Sequence, residues 1–122
     1  MTTSEIATVL AWHDALNDKD FDTLIALSSD DIEVGDSHGA AQGQTALRDL
    51  VESAHITATP GRMYVHDGVV VVEETVITSD GATKAEATAF RVVHDHVTSM
   101  FRHDSLAAAL AATELTEHDL VS

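Results

Sequence analysis

The chain has 122 residues, the length of one domain, and 44% of them are apolar, which sets it apart from disordered chains. Six Lys and Arg against 21 Asp and Glu give a formal charge of −15, which argues against binding a nucleic-acid backbone or an anionic membrane surface. There is no cysteine, so disulfides and Cys-ligated metal sites are excluded, and no apolar run approaches the ~20 residues of a membrane span. The polar segment Met1–Glu5 is unlike a secretory or transit peptide, and a cytoplasmic protein is expected.

The first helix is expected over Ser4–Asn17, capped by Ser4, with Ile6, Val9, Leu10, His13 and Leu16 on one face and Trp12 on its flank. Asn17-Asp18-Lys19-Asp20 breaks the pattern, and a short helix follows at Asp22–Leu27. Ser28-Ser29-Asp30-Asp31 reads as a turn, Ile32-Glu33-Val34 as a short strand and Ser37–Gly43 as a loop. A third helix fits Thr45–His55, with Thr45 as cap and Leu47, Leu50 and Val51 on one side. After Pro60, the single proline, the period changes to that of strands. Arg62–His66 is a strand, Asp67-Gly68 a hairpin turn, and Val69–Thr78 a long β-branched strand. Ser79-Asp80-Gly81 turns the chain into Thr83–Val93, and Asp95-His96 turns it into Val97–His103. Asp104 and Ser105 offer caps for an Ala-rich helix, Leu106–Ala112. Three helices followed by a meander specify an α+β domain with helices on one face of a curved, mainly antiparallel sheet.

Several stretches carry a resemblance. The segments "ALNDKDFDTLIALSSDDIEV", "QGQTALRDLVE" and "FRVV…VTSMFRHDSL" resemble the NTF2-like superfamily, nearest the short SnoaL-like proteins of actinobacteria, which share the AWHDALN-like first helix. Ketosteroid isomerase, limonene-epoxide hydrolase and the SnoaL-type polyketide cyclases are its enzymes. The resemblance covers nearly the whole chain and implies a single NTF2-like cone, an apolar pocket inside it and dimers through the sheet. It implies little about activity, because this fold hosts enzymes and non-enzymes alike.

Asp36 is the candidate catalytic residue. It is an acid at the end of a short strand beside a Gly-rich loop, and by resemblance "EVGD" falls on the strand that carries the isomerase's general base. The competing reading is an Asp that caps a turn. The isomerase's oxyanion donors fall by resemblance on Trp12 and Thr88, neither of them the family's acidic donor, so ketosteroid isomerase activity is not expected. The acids and arginine of the epoxide hydrolase fall on Val71, Glu73 and Arg102, and a Glu73–Arg102 ion pair across the meander is expected to be structural. Asp104 matches a late acid of the cyclases, but it is better placed to cap the helix that follows. Alternation puts Glu86, Thr88, Phe90 and Val92 on one face of their strand, which the resemblance makes concave, with Phe90 as a pocket wall. His13 is read as a core residue, with a pocket role as proton shuttle to Asp36 as the alternative.

Eight histidines are present, but His38, His55, His66, His94, His96, His103 and His118 show no ligand spacing, and no metal or other cofactor is expected. The leading functional reading is a pocket for a small apolar molecule, with Asp36 as catalytic candidate and Trp12, His13, Glu73, Thr88, Phe90 and Arg102 as ligand-binding candidates. The alternatives are a cofactor-free proton-transfer enzyme with Asp36 as base, and a non-catalytic dimerisation or scaffold domain. Valines on both faces of Val69–Val72 require a helix, a loop or a partner chain over the outer one, and a homodimer through the outer face of the sheet is expected.

Overall fold

The computed structural model describes residues 2–36, 39–54, 57–78 and 80–121. Helix α1 (Thr2–Asp18) buries Val9, Trp12, His13, Ala15 and Leu16, whereas Leu10 is 40% exposed. Trp12 is therefore at the centre of the buried stripe and Leu10 lies outside it, a correction to the expected face. Helix α2 (Phe21–Ala26) is capped by Asp20, whose side chain accepts from the Thr23 amide. Asn17 fastens the end of α1 to the sheet, its Nδ2 donating to the Ala58 carbonyl and its Oδ1 accepting from the Ala58 amide.

The strands are β1 (Ser28–Asp36), β2 (Gly39–Gln42), β3 (Thr57–His66), β4 (Val69–Ile77), β5 (Thr83–Val93), β6 (His96–His103) and β7 (Leu120–Val121). They form one sheet in the order β2-β1-β6-β5-β4-β3-β7. The β1–β6 pair is parallel and the other pairs are antiparallel. The three long meander strands lie where period-two alternation puts them. Two expected irregular stretches are strands instead. Ser28–Asp31 is the start of β1, which pairs with β6, and Gly39–Gln42 turns back on β1 as β2. Gly35 permits that hairpin, because a Cβ there would lie 2.7 Å from the Gly39 carbonyl oxygen and 2.8 Å from the Phe101 ring. Pro60 does not bound β3 but sits inside it, opposite Glu74, where the register shifts before Met63. On its other side β3 pairs with β7 only at Met63 and Tyr64, so the missing amide breaks no ladder there.

Helix α3 (Gln44–Ala54) starts one residue before Thr45, directly after Gly43, and buries Leu47 and Val51 against the inner face. His38, His55 and Ser79 lie outside the described residues. Helix α4 (Leu106–Thr113) is capped by Ser105, which accepts from the Ala108 amide, while Asp104 is exposed outside the cap.

Two apolar clusters result. The larger joins α1, α2 and α3 to the inner face of the sheet through Val9, Trp12, Leu24, Val70, Val72, Val76, Phe90 and Met100. The smaller lies beneath α4 on the outer face and holds Tyr64, Val71, Ala87, Ala89, Ala109 and Leu115. Of the covers that the outer valines require, Val71 has a helix, the chain's own α4. Among the described residues no helix is long and apolar enough to cross a membrane.

Candidate functional site

Between the helices and the concave sheet lies a cavity walled by Trp12, Leu16, Leu50, Val51, Ala58, Glu74, Val76, Thr88, Phe90, Met100 and Arg102. Leu50 and Arg102 are half-buried and mark its open side, and the other wall residues are buried. The cavity has a volume of about 30 Å³, about the room of a single water molecule. The passage is therefore narrow, and its walls include Leu16, Leu50 and Met100, side chains with rotamer freedom. Trp12 and Phe90 meet edge-to-face at 5.2 Å between ring centroids, and His13 meets Phe90 at 5.4 Å.

The polar end of the cavity is a buried network. His13 Nε2 lies 2.5 Å from Glu74 Oε2, and the Thr88 hydroxyl donates to Glu74 Oε1 at 2.5 Å. His13 Nδ1 lies 2.9 Å from the Val9 carbonyl oxygen, one helical turn back. That oxygen only accepts, so Nδ1 carries a hydrogen. The contact between Nε2 and Oε2 then holds one proton, as a carboxylic acid facing imidazole or a carboxylate facing imidazolium. In both forms the pair is neutral overall. Each carboxyl oxygen keeps a further lone pair beyond its bond to His13 or Thr88. The alternation of β4 carries Val70, Val72, Glu74 and Val76 on the inner face, and that of β5 carries Glu86, Thr88 and Phe90. At the mouth, Arg102 Nη2 donates to Glu86 Oε2 at 2.7 Å, and Lys84 Nζ lies 3.4 Å from Glu86 Oε1.

Of the residues singled out in the sequence, Trp12, Thr88, Phe90 and Arg102 line the cavity, and His13 braces Glu74 at its wall. The expected donors are already engaged, because Trp12 Nε1 donates to Ser28 Oγ at 3.2 Å and Thr88 donates to Glu74. Glu73 is elsewhere. It lies on the outer face of β4 and takes a forked pair of bonds from Arg62, at 3.0 and 3.2 Å. The expected Glu73–Arg102 pair is therefore replaced by Arg62–Glu73 outside and Arg102–Glu86 inside, because successive residues of a strand face opposite ways.

Asp36 is also apart. It pairs with Gly39 at the end of the β1–β2 hairpin, is exposed, and lines a shallow groove with Ala40, Ala46, Asp49 and Leu50. Alternation does put it on the face of Ile32 and Val34, but there β1 has run past the end of the core. Leu50 belongs to the walls of both spaces, and Asp36 does not border the cavity that Trp12 lines. The acid that does is Glu74, which the sequence reading passed over. The available signal was the inner-face run Val70, Val72, Glu74, Val76, a lone acid among buried valines.

Residues 9–105 match the SnoaL-like domain family. None of the curated proteins matches the sequence. In structure the chain is similar to an NTF2-like protein of unknown function from Cytophaga hutchinsonii, with TM-score 0.75 and 15% identity over 85% of this chain and 92% of that one. It is similar to a protein from Sinorhizobium meliloti described as a polyketide cyclase, with TM-score 0.73 and 20% identity over 80% of this chain and 94% of that one. A third similar structure is TerC co-crystallised with polyporic acid, with TM-score 0.75 and 17% identity over 91% of this chain and 98% of that one. At such identities the likeness carries the fold, an NTF2-like α+β cone.

Proposed function

The chain belongs to the SnoaL-like domain family, and we propose that it is a pocket protein for a small, flat, apolar molecule. The observation that carries this is the cavity wall. Aromatic and aliphatic side chains converge there with Glu74, Thr88 and Arg102 as its polar members, the composition expected of a small-molecule site. A structural neighbour solved with polyporic acid supports the same use of the fold. A second reading, cofactor-free proton transfer, is favoured by the neutral Glu74–His13 pair in the wall. Asp36, the base expected from the sequence, borders only the outer groove.

The single tryptophan, Trp12, is in the cavity wall, so its emission reports on occupancy. Titration with indane, a flat hydrocarbon, is expected to change Trp12 emission saturably, and Ala58→Leu, which fills the cavity, is expected to abolish the change while the fold persists by circular dichroism. No saturable change in the parent protein favours a scaffold domain instead. Dimerisation, as part of this reading, uses the outer-face groove beside α4, where Val69, Phe101 and Ala112 leave apolar surface. Sedimentation at micromolar concentration checks it, and a monomer there removes it.

A further inference from the structure

The concave spaces of this molecule differ in charge. Glu74 stands in the wall of the inner cavity, Asp36 and Asp49 in the groove at the β1–β2 hairpin, and Asp30 in a groove with Ser28 and Gln44. The outer-face groove beside α4, of about 350 Å³, has no carboxylate in its walls, although the chain carries 21 acids. It has Arg91 instead. The other Lys and Arg are engaged: Arg62 with Glu73, Lys84 and Arg102 with Glu86, Arg48 over the Phe21 ring at 6.0 Å, and Lys19 as well. Among the described residues no carboxylate lies within ion-pair distance of Arg91. In a chain of net charge −15, this groove is where an anion meets attraction.

The strand register gives the groove its shape. Arg91 pairs with Ser99, Ala89 with Phe101 and Ala87 with His103, all on the outer face of β5 and β6. Successive pairs on one face are about 7 Å apart. Arg91 and Ser99 therefore form one end, Ala89 and Phe101 the middle, and His103 the other end. Phe101 lies over Gly35 of β1, where a Cβ would come within 2.8 Å of its ring, and the space over Ala89 stays open. On the helix side the wall is Ala112 and Thr113, whose hydroxyl is spent on the Ala109 and Leu110 carbonyls.

We propose that this groove binds a small apolar monocarboxylate, its carboxylate between Arg91 and Ser99 and its apolar body along Ala89, Phe101 and Ala112. The guanidinium offers a planar fork of donors that matches a carboxylate, and the Ser99 hydroxyl adds another. The length from Arg91 to His103, two steps of about 7 Å, fits a carboxylate followed by a short chain and one ring. Glu33, opposite Ser99 on β1, is the acid of the same row and opposes the ligand from the rim. The site is separate from the inner cavity and does not depend on it. It is the groove to which the dimer contact is assigned, so a bound carboxylate and a second copy exclude one another, and the ligand favours the monomer.

The probe is 4-phenylbutyrate, with 4-phenylbutyramide as the neutral molecule of the same shape. Backbone amide shifts of the full chain are followed by NMR, and Trp12 emission reports on the inner cavity in parallel. Saturable shifts are expected at Arg91, Ser99 and Phe101, with Trp12 emission unchanged and excess indane without effect. The amide is expected to bind about tenfold or more weakly than the acid. Arg91→Met, which keeps an apolar stem at an exposed position, is expected to weaken binding of the acid by the same factor, and Glu33→Gln to tighten it severalfold. In sedimentation, 4-phenylbutyrate is expected to lower the dimer fraction. Equal affinity for acid and amide, or for parent and Arg91→Met, overturns the anion site. So do shifts that indane abolishes, and so does a dimer that persists when the shifts are saturated. Absence of saturable shifts on the outer face overturns it too, whether sedimentation then shows a dimer or a monomer. The inner pocket is decided separately, by the indane titration of Trp12 emission.

Discussion

Glu74 and Glu86 stand directly opposite one another on β4 and β5, and each is answered by a different base. Glu74 faces His13 from helix α1, while Glu86 faces Arg102 from β6 and Lys84 from its own strand. Like charges opposite each other weaken a sheet. Here the repulsion is removed twice over, by neutralising the deeper acid as part of a buried pair and by covering the acid at the mouth with cations. The arrangement gives the concave face a polar end and leaves the rest of it to Phe90, Met100 and the valines.

Removing the cation tests that balance. Arg102→Met keeps an apolar stem in the cavity wall and strips Glu86 of its closest partner. We expect a loss of about 1–2 kcal/mol by urea denaturation, typical of a hydrogen bond to a charged group that is mostly shielded from water. Adding Glu86→Gln to the same chain should restore part of the loss, because the opposed acid is then gone. A single variant as stable as the parent would show that the facing acids do not feel each other.

The buried pair should behave differently. His13→Leu leaves the Glu74 carboxyl group buried with Thr88 as its remaining partner, and breaking such a pair from one side costs roughly 3–5 kcal/mol. The double variant His13→Leu, Glu74→Met replaces both members by apolar side chains, so most of that loss should return. The measurement is a denaturation midpoint for the two single variants and the double. If the double is as unstable as the sum of the singles, the pair is part of the packing of the fold and not a polar device held within it.

The meander was legible because β-branched residues recur with period two between unambiguous turns, as in Val69–Ile77 followed by Asp80-Gly81. The parallel β1–β6 contact was not. Ser28-Ser29-Asp30-Asp31 has the composition of a turn, and only its pairing with β6 makes it a strand. Pro60 hid the first half of β3 for a similar reason, since a proline reads as a break unless the neighbouring edge is known to be unpaired. Trp12, Thr88 and Phe90 came to the cavity as expected, from alternation and the family resemblance together. The resemblance puts Glu73 at the pocket, with a spacing carried through the turns, and the acid in the cavity wall is its neighbour Glu74. In a strand a shift of one residue exchanges the two faces, so the resemblance sets a surface acid inside. Asp36 lies apart from the cavity for another reason. Alternation gives its face, but not that the helices have ended where it stands.

That placement makes Asp36 a control. Asp36→Asn is expected to leave indane affinity within about twofold, because substitutions at separate sites act independently. Its groove meets the cavity only through Leu50, so Leu50→Ala should affect both. Trp12 emission measures the first, and comparison of indane affinity in the two variants measures the second. A tenfold loss in Asp36→Asn would return Asp36 to the site.

Glu73, one residue from the pocket acid, allows the two faces of β4 to be separated by pH. The forked hydrogen bond from Arg62 holds its carboxyl group below the ordinary value of 4.5, with partial burial opposing and the charge of Arg62 adding to the shift. A folded value below the unfolded one means that the pair stabilises the fold at pH above 4.5, and that its contribution fades as pH falls through the lowered folded value. The amount is small, because Arg62 is 57% and Glu73 34% exposed, and water and salt screen the pair. Glu73→Gln is therefore expected to cost no more than about 0.5 kcal/mol near neutral pH, and less in high salt. Denaturation of parent and variant in parallel should show the difference closing as the pH is taken well below 4.5, where both side chains are uncharged. A penalty that persists there has a cause other than charge. A penalty of several kcal/mol near neutrality would mean that the Arg62–Glu73 pair is screened far less than its exposure implies.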